Sequence, residues 1–158
     1  SEEKNHISLG VAVEKTINMV RCRLLPEVIK ALAENRSRQF PQNVFEIGYV
    51  VEPDKDADVK SRNVLKIALA HSHATATILD ARQAVESLAS QLGIPVVLKA
   101  HDHPSCIPGR CLSILADVKG RKKTIGFVGE LSPEVITNWD LEQPTSVAEI
   151  NLSEMCGL

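Results

Sequence analysis

The chain has 158 residues, 44% of them apolar, and a formal net charge of −2, which suffices for one hydrophobic core and is too little for two. That balance excludes a field able to grip a polyanion, and 3% aromatic residues make no base-stacking platform; nucleic-acid contact would have to be local, at Arg21/Arg23, Arg36/Arg38 or Arg121-Lys122-Lys123, against the competing reading of solvated surface. No apolar run approaches the roughly 20 residues of a membrane span, Ser1-Glu-Glu-Lys-Asn5 has no signal-peptide character, and Cys22, Cys106, Cys111 and Cys156 lack the paired spacing of a zinc ribbon, so a soluble cytoplasmic protein with reduced thiols is expected.

Ile7 to Met19 has apolar positions without a clean period and reads as a strand or a fraying helix. The first strong helix starts after Leu24-Leu25, with Pro26 in its first turn and Leu25, Val28, Ile29 and Leu32 at i, i+3, i+4 and i+7. This stripe faces a sheet and leaves Glu27, Lys30 and Glu34 outside. Asn35 to Gln39 is a polar exit, and Pro41 stops continuation. Val44 to Val51 reads as a strand in which Gly48 marks a bulge or a close backbone approach. Charged Pro53 to Arg62 is a hairpin loop before a strand from Val64 to Ala70, whose alternation sends His71 and His73 to one face.

A second helix follows, with Ala81, Val85, Leu88, Ala89 and Leu92 on one side, Asp80 or Thr77 as cap and Gly93 as stop. Val96 to Ala100, Cys111 to Val118, Thr124 to Val128 and Ser146 to Leu152 are further strands, with a Lys119-Gly120 hairpin turn. Between the last two strands, Ser132 caps a short helix, Pro133 sits where a missing N–H costs nothing, Glu134 faces the positive helix end and Trp139 closes it. Six strands and about three helices with hairpin links predict an α+β fold, a mostly antiparallel sheet flanked by helices.

The densest chemical cluster is His101-Asp-His103-Pro-Ser-Cys106-Ile-Pro-Gly-Arg-Cys111. His-x-His and Cys-x4-Cys match no common zinc knot, and two prolines and a glycine make a loop rather than a rigid ligand platform. A strand-entry loop is thus set against a metal set of His101, His103, Cys106 and Cys111. Cys111 next to Arg110 could serve as a nucleophile, but it opens an apolar strand and is expected to be buried. Gly126-x-x-Gly129 lacks the lysine and hydroxyl of a phosphate loop. Glu130 and Glu134 could act as a carboxylate pair at a helix start, although the helix dipole already accounts for Glu134. No catalytic residue emerges.

In order, the chain carries Arg21-x-Arg-Leu-Leu-Pro-Glu-Val-Ile29, Pro41-Gln-x-x-Phe-Glu-Ile-Gly48, Leu92-Gly-Ile94, Ile107-Pro-Gly-Arg110, Ile125-Gly-x-x-Gly-Glu-Leu-Ser-Pro-Glu-Val135, then Glu142-x-Pro144 leading to Ala148-Glu-Ile-Asn-Leu152. This ordered set resembles the C-terminal core of the beta subunit of phenylalanyl-tRNA synthetase in its archaeal and eukaryotic form, over about Arg21 to Met155. The resemblance implies a class II synthetase-like sheet that has lost its chemistry: residues 21–158 a noncatalytic core, residues 1–20 an incomplete leading segment. It implies a structural role for Arg21, Pro26, Glu46, Gly48, Pro108, Gly109, Arg110, Gly126, Gly129, Glu130, Pro133 and Glu149. Family members usually carry a small polar residue at position 22 and a bulky aromatic near 106, where this chain has Cys22 and Cys106.

A catalytic alpha subunit would then activate phenylalanine with ATP and magnesium and pass it to tRNA(Phe), with this core packed against it in an (αβ)2 assembly and no cofactor of its own. A class II site needs an arginine near the start of the helix after the last strand; here Asn151-Leu-Ser-Glu-Met155 puts an acid there, which would repel a triphosphate. The contact surface is expected on the sheet face left uncovered by the helices beginning at Pro26 and Asp80. The alternatives are a metal- or redox-responsive domain using the 101–111 segment, and a small-molecule sensor derived from the synthetase fold.

Overall fold

A computed structural model describes residues 7–8 and 19–158. The strand-or-helix expectation for Ile7 to Met19 lies mostly outside the described residues; at its ends, β1 (Ile7–Ser8) and β2 (Met19–Val20) pair antiparallel.

Six strands make one antiparallel sheet: β3 (Gln42–Pro53), β4 (Ser61–Ser72), β5 (Val96–Ala100), β6 (Cys106–Val118), β7 (Arg121–Leu131) and β8 (Thr145–Asn151), in the order β3-β4-β8-β7-β6-β5. The helices are α1 (Leu25–Glu34), α2 (Ile78–Gln91), α3 (Pro133–Asn138) and α4 (Leu152–Cys156). The expected α+β class, flanked sheet and hairpin links therefore hold, and α4 is a further helix where the last strand was expected to end. At the β6–β7 turn, Lys119 and Gly120 both have positive φ, 53° and 78°, as a two-residue hairpin with the sheet's twist requires.

β8, last in sequence, is inserted between β4 and β7, and its residues Thr145 to Ile150 are all buried. A strand covered on both faces shows this continuous burial rather than alternation. The sheet divides two cores. On one face Leu25, Val28, Ile29 and Leu32 of α1 lie on Val50, Val64, Ala68, Ala70 and Val147. The alanines of β4 let the helix approach closely. On the other, Ala81, Val85 and Ala89 of α2 and Met155 of α4 meet Ile67, Leu69, Ile114, Val128, Ala148 and Ile150.

Two local expectations are corrected. Gly48 is not at a bulge, because β3 and β4 pair in continuous register from Gln42↔Ser72 to Pro53↔Ser61. Leu92 is the C-cap residue of α2 and stands exposed instead of sharing the buried stripe. Thr77 and Asp80, weighed as alternatives, cap α2 together: the Thr77 side chain accepts at the helix start while Asp80 Oδ2 accepts the Thr77 N–H at 2.8 Å. Among the described residues no helix is long and apolar enough to cross a membrane.

Candidate functional site

The N-cap residue of α1 is Leu24, which has no side-chain acceptor of its own. Its free amides are taken by Glu149 from β8: Leu24 N–H and Leu25 N–H donate to Oε2 at 3.0 and 2.8 Å. The carboxylate is 7% exposed, and its other oxygen lies 3.4 Å from Lys66 Nζ, which also meets Glu52 at 2.9 Å and donates to the Cys22 carbonyl at 3.2 Å. A buried carboxylate on two helix amides and an ammonium is neutralised where it sits.

Glu130 does the same on the opposite face. Ile78 N–H, at the start of α2, donates to its Oε1 at 2.8 Å, and Arg110 Nη1 donates to Oε2 at 2.7 Å. The proposed Glu130/Glu134 pair is thus not formed; Glu130 reaches across to α2, and Glu134 stands exposed in the first turn of α3. Two carboxylates on neighbouring central strands, Glu130 opposite Ser146 and Glu149 opposite Phe127, so fasten one helix to each face.

Arg21 lies along the outer edge of β3. Its Nε donates to the Tyr49 carbonyl at 3.0 Å, its Nη1 to Glu46 Oε1 at 2.7 Å, and Val51 N–H donates to the Arg21 carbonyl at 3.0 Å. A Cβ on Gly48 would stand 2.7 Å from the Arg21 guanidinium, so the close approach foreseen at Gly48 is to this side chain. Gly126 is similar: a Cβ there would run into the Glu149 backbone carbonyl.

The 101–111 segment is not a loop throughout. β6 starts at Cys106, with an irregularity in pairing between Cys106 and Cys111 and Gly109 at φ 75°. The imidazoles and thiols part company. His103 stacks on Phe127, centroids 4.4 Å apart and 10° from parallel, accepts from Ser105 N–H at Nδ1 and lies 3.5 Å from Arg23 at Nε2. His101 is exposed, while Cys106 and Cys111 are buried. Among the described residues no three His, Cys, Asp or Glu side chains stand together as metal ligands, so this geometry offers the metal alternative no assembled set.

Of the other basic candidates, Arg36 pairs with Asp140 at 2.5 Å and Lys123 with Glu154. Glu154 sits in α4 behind its Asn151 cap, and the Lys123 hydrogen bond holds its carboxyl below the usual range. A cleft of about 200 Å³ is lined by Arg23, Lys66, His103, Phe127, Glu149 and Asn151. It is smaller than the roughly 300 Å³ at which small-molecule sites begin, and its carboxylate is occupied by helix amides.

The helices at Pro26 and Asp80 take opposite faces, so no whole sheet face is bare, contrary to expectation. Among the described residues, what remains uncovered is the outer end of the α2 face. There Phe45, Ile47 and Tyr49, alternate residues of edge strand β3, are 68%, 54% and 63% exposed. Beside them runs an apolar groove of about 390 Å³ lined by Phe45, Ile67, Leu69, His71, Ala84 and Leu88. Sequence reasoning placed the strand and missed the stripe, whose only signal was an aromatic and aliphatic set at period two on a strand that turned out to be an edge.

The model of the phenylalanyl tRNA synthetase beta chain CLM domain matches residues 1–152. Among curated proteins, the chain is similar to the phenylalanine–tRNA ligase beta subunits of Methanopyrus kandleri (35% identical over 150 residues, 94% of this chain and 25% of that protein), Methanocaldococcus jannaschii (37% over 151 residues, 96% and 27%) and Thermococcus kodakarensis (33% over 132 residues, 84% and 22%). The chain thus spans about a quarter of the length of the relatives it matches.

Proposed function

The chain belongs to the phenylalanyl tRNA synthetase beta chain CLM domain family, and on that premise we propose that it is a noncatalytic scaffold and subunit-interface domain of a phenylalanine–tRNA ligase. Its sheet is a class II synthetase-like core spanning residues 21–158, with residues 1–20 a leading segment. A catalytic alpha subunit uses ATP and magnesium to charge tRNA(Phe), and this domain packs against it in an (αβ)2 assembly in the cytoplasm.

One observation carries the reading: the polar side chains of the family pattern are engaged within the fold, while an apolar stripe is left open. Glu149 and Glu130 hold helix starts, Arg21 and Glu46 close a sheet edge, and Arg110 supports Glu130. None of these is left to hold a substrate. Phe45, Ile47 and Tyr49 offer a contiguous apolar surface beside a groove, the kind of patch that marks a protein contact. Glu154, where a phosphate-binding cation would be needed, supports the absence of a triphosphate site in this domain.

Co-expression with the catalytic alpha subunit and size-exclusion chromatography test the reading. The two chains are expected to co-elute, and Ile47→Asp with Tyr49→Asp to weaken the complex at least about tenfold, since each places a charge in an apolar contact. Independent elution, or pyrophosphate exchange by the purified chain alone, would remove the proposal.

A further inference from the structure

Cys106 and Cys111 are five positions apart in the chain yet stand next to one another in the sheet. Cys106 pairs with Leu131 and Cys111 with Gly129, and because opposed residues point to the same side, both thiols share a face. The four residues between them are absorbed by the pairing irregularity. On β7 the two partner positions are one pleat repeat apart, about 6.6 Å. That lies within the roughly 4.4–6.8 Å that a disulfide spans between Cα atoms.

Gly129 brings the sulfurs closer still. A Cβ on Gly129 would lie 2.7 Å from Cys106 Sγ, so this sulfur fills the place of the missing side chain, directly across from Cys111. Both residues are buried, at 5% and 2% exposure, while Pro108, Gly109 and Arg110 of the intervening segment lie at the surface. We propose that Cys106 and Cys111 form a covalent modification site, a dithiol that closes an intrachain disulfide on reaction with a peroxide.

The thiol arrangement assigns the roles. The contact between the two thiols lowers the Cys111 pKa and, together with burial, pushes that of Cys106 up, so the attacking role goes to Cys111. Cys111, as thiolate, attacks one peroxide oxygen; the O–O bond breaks, hydroxide leaves, and Cys111 becomes a sulfenic acid. The Cys106 sulfur then attacks the Cys111 sulfur and gives up its proton as the sulfenic hydroxyl departs as water. The first hydroxide takes the proton that Cys111 had released. Two thiols are oxidised to one disulfide and the peroxide is reduced to two waters. Closure would tie the ends of the 107–110 segment together beneath Arg110, the residue that supports Glu130 at the start of α2.

The test uses the full chain carrying Cys22→Ser and Cys156→Ser, exposed to hydrogen peroxide, alkylated after denaturation and digested with trypsin. Cleavage after Lys99 and Arg110 separates the two cysteines, so the disulfide joins peptide 100–110 to peptide 111–119 until a reductant releases them. The joined pair is expected to become the main form, and to be absent in Cys106→Ser and in Cys111→Ser. Recovery of both cysteines alkylated, or oxidation that stops at Cys111 as sulfinic acid, would overturn the proposal. Should the double serine variant fail to fold, the same mapping on the wild-type chain decides the matter, because Cys22 and Cys156 fall in other peptides.

Discussion

Glu149 shows how much a single side chain can organise. Leu24 offers no acceptor, so α1 cannot cap itself, and a carboxylate from more than a hundred residues away in sequence supplies the cap. Replacing it tests that role directly. Glu149→Ala would leave two amides without their acceptor in a buried setting and take one of its partners from Lys66, at a cost of roughly 2–4 kcal/mol, because hydrogen bonds to charged groups are worth about 1.5–3 kcal/mol net. Glu149→Gln keeps one acceptor oxygen and should lose less. Urea denaturation ranks the three proteins, and equal midpoints for wild type and Glu149→Ala would refute the cap. The resemblance singled out Glu149 as structural; only the packed sheet says what it does.

At the scale of elements, the start of α2 carries the fold's clearest response to pH. His71 Nδ1 lies 2.8 Å from Asn43 Oδ1 and so donates to it, which leaves Nε2, a buried atom without a partner, as the bare lone pair. Burial pushes the His71 pKa down, with Asp80 opposing and His73 adding to the shift. Asp80 itself is held below the usual carboxylate range, chiefly by the Thr77 N–H and also by His73 and His71. For a histidine with a lowered folded pKa, the unfolded chain takes the proton first as pH falls. Stability is therefore full above about pH 6.5 and declines below it. Asp80 adds a second loss only nearer pH 4, as the pH falls through its folded pKa. Urea midpoints at about pH 7.5 and about pH 5.5 should fall in the wild type and fall less in His71→Asn; identical slopes would show that His71 does not carry the effect.

The same region shows which elements were legible. Thr77, Asp80 and Gly93 bound α2, and Leu25 to Leu32 mark α1, because caps and helical stripes act within a few residues. Cys106 to Arg110 misled for a related reason. Pro108 and Gly109 carry strong local turn signals, but pairing with β7 overrode them at the cost of an irregularity in the ladder.

For the whole molecule the decisive feature is the position of β8. β3 and β4 form one hairpin, β5, β6 and β7 follow in antiparallel succession, and β8 joins the two groups as the last strand of the sheet. It carries Val147 into one core and Ala148 and Ile150 into the other. Native-state hydrogen exchange should accordingly find β8, with β4 and β7, opening only in global unfolding, while edge strand β5 exchanges earlier. Equal protection of β5 and β8 would contradict a structure held at its centre.

By itself the sequence determined the helical stripe of α1, the Lys119-Gly120 hairpin, the cap at Ser132 and the Thr77/Asp80 pair of candidates for α2, the antiparallel α+β class and the ordered pattern that points to one family. Each of these is written in residues a few positions apart, where propensity and capping act. Only the tertiary structure decided that α1 and α2 take opposite faces, that Glu149 and Glu130 are the caps joining those faces to the central strands, that β3 is an edge with an apolar stripe, and that Cys106 and Cys111 meet over Gly129. These depend on strand order and register, which bring together groups far apart in the chain and which hydrophobic period alone does not specify.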